Sequence, residues 1–87
     1  MFGFSFADPA LEFLETVPHK IRRQIIRKAR ALQLDPHPQG SKKLNGVTTA
    51  TGETMYRERS GDYRILYVVR PIEVVVLDID NRKDVYR

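Results

Sequence analysis

The stretch YRERSGDYRILYVVR, residues 56–70, carries Arg57, Arg59, Arg64 and Arg70 within a run that otherwise alternates like β-structure. A guanidinium is planar, keeps its charge near neutral pH and binds phosphate oxygens in pairs. Arginines gathered on one surface are therefore suited to hold a phosphodiester and to stabilise negative charge that develops on it. The closing residues DNRKDVYR add Arg82, Lys83 and Arg87, with the aromatic hydroxyl of Tyr86. Cations beside an aromatic ring meet the two needs of a single-stranded nucleic acid: phosphate pairing and a surface for base stacking. Lys42 and Lys43, in KKLNG, are further candidate RNA contacts.

Two strands around a Gly61-Asp62 turn would position these arginines. With a two-residue turn, Ser60 faces Tyr63, Arg59 faces Arg64, and Arg57 lies opposite Leu66, so Arg57, Arg59 and Arg64 project from one face. Like charges directly opposite one another destabilise a hairpin unless an anion relieves them. Glu58, Asp62, Asp78 and Asp80 are the candidate internal anions. Glu58 should point to the other face. Continuing the alternation pairs Arg64 with Ile79 and Ile65 with Asp78, which also turns Asp78 away from the trio. A phosphate-binding face is the reading that follows.

The remaining elements read in order. FGFSF is a short alternating strand ending at Asp8. Asp8 as N-cap and Pro9 at the first turn open a helix through DPALEFLETV, and Pro18 ends it and starts a second. In that second helix Ile21, Ile25, Ala29 and Leu32 form one buried stripe with Ile26 on its flank. Arg23, Arg27 and Arg30 cluster on the opposite side, either as a solvated face or as a docking surface for an acidic partner. DPHPQGSKKLNGVTTATGE is a long connection, of the kind that is functional, mobile or conceals a short strand. TMYRERS, YRILYVV and IEVVVLDID are three strands with tight turns at Gly61-Asp62 and Arg70-Pro71. The expectation is one α+β domain over residues 1–87: an N-terminal strand, a two-helix hairpin and a three-stranded antiparallel meander, β-α-α-β-β-β.

An 87-residue chain supports one modest core. Its net charge of +4 and pI near 9.7 favour a polyanionic partner: nucleic acid, a ribosome or an acidic protein. With no cysteine, disulfides and thiolate metal sites are excluded. No signal peptide or membrane span is read, so a cytoplasmic protein without membrane contact is expected.

KKLNG, YRERSGDYRILYVV and VVVLDIDNRKDVYR together resemble the RelE/ParE superfamily of toxin–antitoxin toxins, whose members carry a Lys-Leu-x-Gly loop, a Gly-Asp-Tyr-Arg-Ile hairpin and a His-Arg-x-x-x-Tyr end. The resemblance runs over essentially the whole chain. It implies a RelE-like fold and, for the RelE branch, a ribosome-dependent mRNA endoribonuclease that needs no metal or other cofactor. In that reaction the 2′-hydroxyl attacks the neighbouring phosphate, leaving a cyclic phosphate and a free 5′-hydroxyl. The family's basic hairpin residues fall on Arg57 and Arg59, its central arginine on Arg64, and its C-terminal arginine and tyrosine on Arg82 and Tyr86. The implied partners are the ribosome, mRNA and an acidic or amphipathic antitoxin, held in a hetero-oligomer. The basic helix face of Arg23, Arg27 and Arg30 is where that antitoxin is expected.

Asn81 departs from the pattern, because many relatives have His there and an amide exchanges no proton near neutral pH. His19 and His37 lie off the basic strands and read as ordinary surface residues. Proton transfer would then rest on Tyr86, on a lysine such as Lys43, or on ribosomal groups. Glu58 with Asp84 makes a poor carboxylate pair, because the two have no converging placement. Two other readings stay open: the ParE branch, which blocks DNA gyrase without cutting RNA, and a degenerate module that only binds nucleic acid.

Overall fold

The computed structural model describes residues 2–81. Its elements are β1 (Gly3–Phe6), α1 (Asp8–Thr16), α2 (His19–Ala31), β2 (Lys42–Thr48), β3 (Thr54–Ser60), β4 (Tyr63–Val69) and β5 (Glu73–Asn81). They form one five-stranded sheet in the order β1-β5-β4-β3-β2, with β1 parallel to β5 and the other pairs antiparallel. The expected α+β order therefore holds, with one strand more than the expected meander. β2 lies in the long connection, at the sheet edge. Six of its seven residues are exposed, so it has no apolar alternation to mark it.

Both helices cover one face of the sheet. Ala10 and Leu14 of α1 join Ile25, Ala29 and Leu32 on the α2 side, all packed on Ile65, Tyr67, Val74, Val76 and Ile79. The helical stripe expected along α2 is this buried seam. The start of α1 differs from expectation: Ala7 is the N-cap, without a side-chain bond, and Asp8 is already helical. Asp8 there still favours the positive end of the helix. Arg22 ties the helical pair together, its Nε donating to the Leu14 carbonyl at 2.7 Å and Nη2 to that of Val17 at 3.3 Å. Carbonyls at the end of α1 thus gain the partners they lack within the helix. No described helix is long and apolar enough to cross a membrane.

The hairpin follows the expected register, Ser60↔Tyr63, Arg59↔Arg64 and Arg57↔Leu66. Gly61 takes φ +59, the positive value a tight hairpin turn requires at its first position. The next pairing corrects the sequence reading. From the turn, Val69↔Val74, Val68↔Val75 and Tyr67↔Val76 keep the expected offset, but a bulge follows, and the pairs become Leu66↔Asp78, Ile65↔Ile79 and Arg64↔Asp80. One extra residue on a strand reverses the facing of everything beyond it. Asp78 and Asp80 consequently lie on the arginine face instead of behind it.

Candidate nucleic-acid interface

Alternation along β3 and β4 sends Glu58, Ile65 and Tyr67 towards the helices, and Arg57, Arg59, Arg64 and Leu66 to the open face. Lys42 pairs with Arg57 across the β2–β3 edge and joins the open-face cations, whereas Lys43 pairs with Tyr56 and faces the other way. The structure thus brings together Lys42, Arg57, Arg59 and Arg64. Arg82, Lys83, Tyr86 and Arg87 lie outside the described residues, as does Asp84.

The cations are not equivalent. Arg64 donates from Nε to Asp80 Oδ1 at 2.9 Å and from Nη2 to Oδ2 at 2.8 Å, a two-pronged fork on a mostly covered pair. The expectation that no acid could neutralise the trio fails at this residue, for the bulge described above. Arg57 and Arg59 have no ion pair among the described residues. Arg70, at the far end of β4, is committed to Glu53 and Glu73. Its guanidinium holds the Glu53 carboxyl below its usual pKa, and Glu53 in turn raises that of Arg70.

Behind the arginines the helix face is polar only where it is satisfied. Glu58 is 5% exposed, and its Oε1 accepts the Arg59 backbone N–H at 3.0 Å. The buried Tyr67 hydroxyl donates to the Pro36 carbonyl at 2.7 Å, pinning the connection that leads into β2. Burial pushes the Tyr67 pKa up to about 12, against the opposing hydrogen bond with Ser41 and with help from the nearby Glu58 charge. Tyr56 stacks on Tyr67 at 5.7 Å, and the exposed His37 ring rests on Tyr56 at 4.8 Å. His37 is thereby a packing residue of the loop, and His19 lies on the outer side of α2. Among the described residues, no group of three His, Cys, Asp or Glu side chains is arranged to hold a metal ion.

The basic face expected on α2 meets the hairpin tip, which the sequence did not foretell. Gln24, Arg27, Lys28 and Ala31 of α2 face Arg59, Ser60 and Gly61 at the hairpin tip across an open groove. A neighbouring hollow, lined by His19, Lys20, Arg23, Gln24 and Arg27, continues it along the helix. Arg23 and Arg27 of the expected docking face line these hollows, and Arg30 does not. The helical spacing was visible in the sequence, but its approach to the hairpin tip is tertiary.

A helical pair on one face of a mixed sheet is a fold that this chain shares with solved toxin–antitoxin toxins. The chain superposes with a TM-score of 0.76 on the archaeal RelE of the RelE–RelB complex from Pyrococcus horikoshii, at 24% identity over 93% of this chain and 94% of that one. Against the RelBE2 toxin–antitoxin complex of Mycobacterium tuberculosis the TM-score is 0.73, at 25% identity over 93% and 98% of the two chains. The isolated E. coli RelE toxin gives 0.72, at 23% identity over 99% and 92%. No curated protein matches. The family model for the ParE toxin of type II toxin–antitoxin systems, parDE, matches residues 4–86. The chain therefore belongs to the ParE toxin family, within the RelE/ParE superfamily, and is the toxin of a toxin–antitoxin system.

Proposed function

We propose that this toxin is a RelE-type endoribonuclease that cuts mRNA on the ribosome. The observation that carries the reading is the open sheet face: Lys42, Arg57, Arg59 and Arg64 share it, and Arg57 and Arg59 have no carboxylate partner among the described residues. A fold alone does not favour two neighbouring uncompensated arginines; a phosphodiester relieves their repulsion. Attack of the 2′-hydroxyl on phosphorus puts extra charge on the phosphate oxygens as the bond to the 5′-oxygen breaks. Cations already fixed in place stabilise that charge without reorganising. The Asp80 fork fixes the plane of the Arg64 guanidinium through Nε and Nη2. The 2′-hydroxyl proton must be taken up and the 5′-oxygen must receive one; Tyr86 is the side chain to test for this, since the amide of Asn81 neither gives up nor takes up a proton near neutral pH.

Induced expression in a bacterium, followed by primer extension on an abundant mRNA, tests the reading. New cuts inside translated codons are expected, reduced about 100-fold or more in Arg64→Ala, as when one preorganised donor is lost from a charged transition state. Growth arrest with intact mRNA would sink it.

Two observations favour a second reading, inhibition of DNA gyrase without RNA cleavage. The matching family model bears the ParE name, and Asp80 already compensates the central arginine. Arrest accompanied by DNA damage, and insensitive to Arg64→Ala, would assign the protein to that class.

A further inference from the structure

The groove between α2 and the hairpin tip holds three cations, Arg27, Lys28 and Arg59, and no carboxylate among its lining residues. None of the three forms an ion pair among the described residues. Gln24 and Ser60 add neutral hydrogen-bond donors to the same walls. Residues 24, 27, 28 and 31 follow the i, i+3, i+4, i+7 spacing of a single helical stripe, so one wall is a straight run of side chains. Arginine, lysine, glutamine and serine are the side chains that bind phosphate oxygens without reading sequence.

Arg59 decides the occupant. It lines the groove and also stands opposite Arg64 on the open sheet face, so the two basic surfaces meet at this residue without an acidic lining residue between. A strand lying over Arg57 and Arg59 can continue from Arg59 into the groove with its phosphates still beside cations. An acidic peptide would also match the charge of the groove, but the strand that the proposed function holds on the sheet face already lies beside it at Arg59.

We infer that the groove bounded by Arg27, Lys28 and Arg59 binds the backbone of the single-stranded RNA that flanks the segment on the sheet face. The inference rests on the RNA-cleaving reading of that face and extends it to a second surface. The groove contributes affinity and registers the strand; it touches no reacting atom. The neighbouring hollow with Lys20 and Arg23 prolongs the track towards the start of α2.

The test uses the purified full-length toxin and two fluorescein-labelled oligouridines, one short enough to cover the sheet face alone and one long enough to pass the hairpin tip. Anisotropy titrations over a range of salt compare the natural protein with Arg27→Gln/Lys28→Gln and with Arg57→Gln. Both groove residues are exposed, and a thermal melt confirms that the variant is folded. The natural protein should bind the long RNA more tightly than the short one. The groove variant should lose that gain, about tenfold, with a salt slope shallower by about 1.4, two contacts at about 0.7 each. Its affinity for the short RNA should not change, whereas Arg57→Gln weakens both. The charge-keeping pair Arg27→Lys/Lys28→Arg should restore the long-RNA affinity.

A groove variant that binds the long RNA as tightly as the natural protein overturns the proposal while leaving the sheet face intact. If that variant instead loses its antitoxin in co-purification and keeps its RNA affinity, the groove belongs to an acidic peptide, and the proposal also falls. Failure of every version to bind either RNA overturns the groove proposal, while the sheet-face reading on the ribosome is decided separately by the primer-extension test.

Discussion

The two faces of the central hairpin are built from alternate residues of the same strands and solve opposite problems. On the helix side, Glu58 and Tyr67 are buried polar groups with partners in place: a backbone N–H for one, the Pro36 carbonyl for the other. On the open side, one arginine is compensated by Asp80 and its two neighbours are not. A buried polar group without a partner costs about 1–3 kcal/mol, so the core face cannot leave one. An exposed cation loses little without a partner, so the open face can keep its capacity for a ligand. Under the proposed function, stability and binding are thereby written on the two sides of a two-residue repeat.

The largest test of that division is Ile65→Ala. Ile65 is wholly buried against the helices, and the substitution should cost about 2–5 kcal/mol in urea unfolding. A cost near zero would mean that the helix face is not the core.

Tyr67→Phe keeps the ring and removes only the hydroxyl, for about 1 kcal/mol. It also has a pH signature. With its pKa raised from 10 to about 12 in the folded protein, the neutral phenol contributes stability that is complete below pH 10 and is lost as pH rises through 12. Melting temperatures measured across that window should fall more for the natural protein than for the Phe variant. Parallel curves would mean that another group governs the alkaline loss.

Asp80→Asn should change stability by less than about 1 kcal/mol, because the pair is partly solvated. Its effect belongs to binding: tighter RNA and a steeper salt dependence are expected once the face loses an anion. Weaker RNA binding would instead show that the fork is needed to aim Arg64.

Arg57→Ala is the smallest change to the fold, within about 0.5 kcal/mol. It should nevertheless reduce the salt slope for single-stranded RNA by about 0.7, one phosphate contact. A variant as destabilised as Ile65→Ala would erase the contrast between the faces.

The hairpin register was legible in the sequence because a two-residue turn leaves only one pairing, and a glycine with positive φ marks that turn. The stripe along α2 was legible because 3.6-residue spacing survives in Ile21, Ile25, Ala29 and Leu32. The bulge between Leu66 and Tyr67 was not. The facing segment of β5 reads Val74-Val75-Val76-Leu77, four apolar residues with no alternation to show where the phase changes. That hidden phase change determined whether Arg64 was compensated. β2 was concealed for the converse reason, since its polar, exposed residues carry no period. The groove at Arg59 could not be read at all, because its walls come from separate elements, α2 and the β3–β4 hairpin, and meet only through the packing of α2 against β3.

β1 and β5 have a consequence of another kind. Among the described residues, β1 has one neighbour in the sheet, and that neighbour is β5, paired in parallel from Gly3↔Glu73 to Phe6↔Val76. α1 also packs chiefly on β5. During synthesis, then, β1 emerges early and finds its docking surface only once β5 has been made. Closing so distant a contact is slow compared with forming a local hairpin. Until its fifth strand is made, the nascent toxin has no partner for β1 and lacks the main packing surface of α1, so assembly of the sheet waits on that one strand.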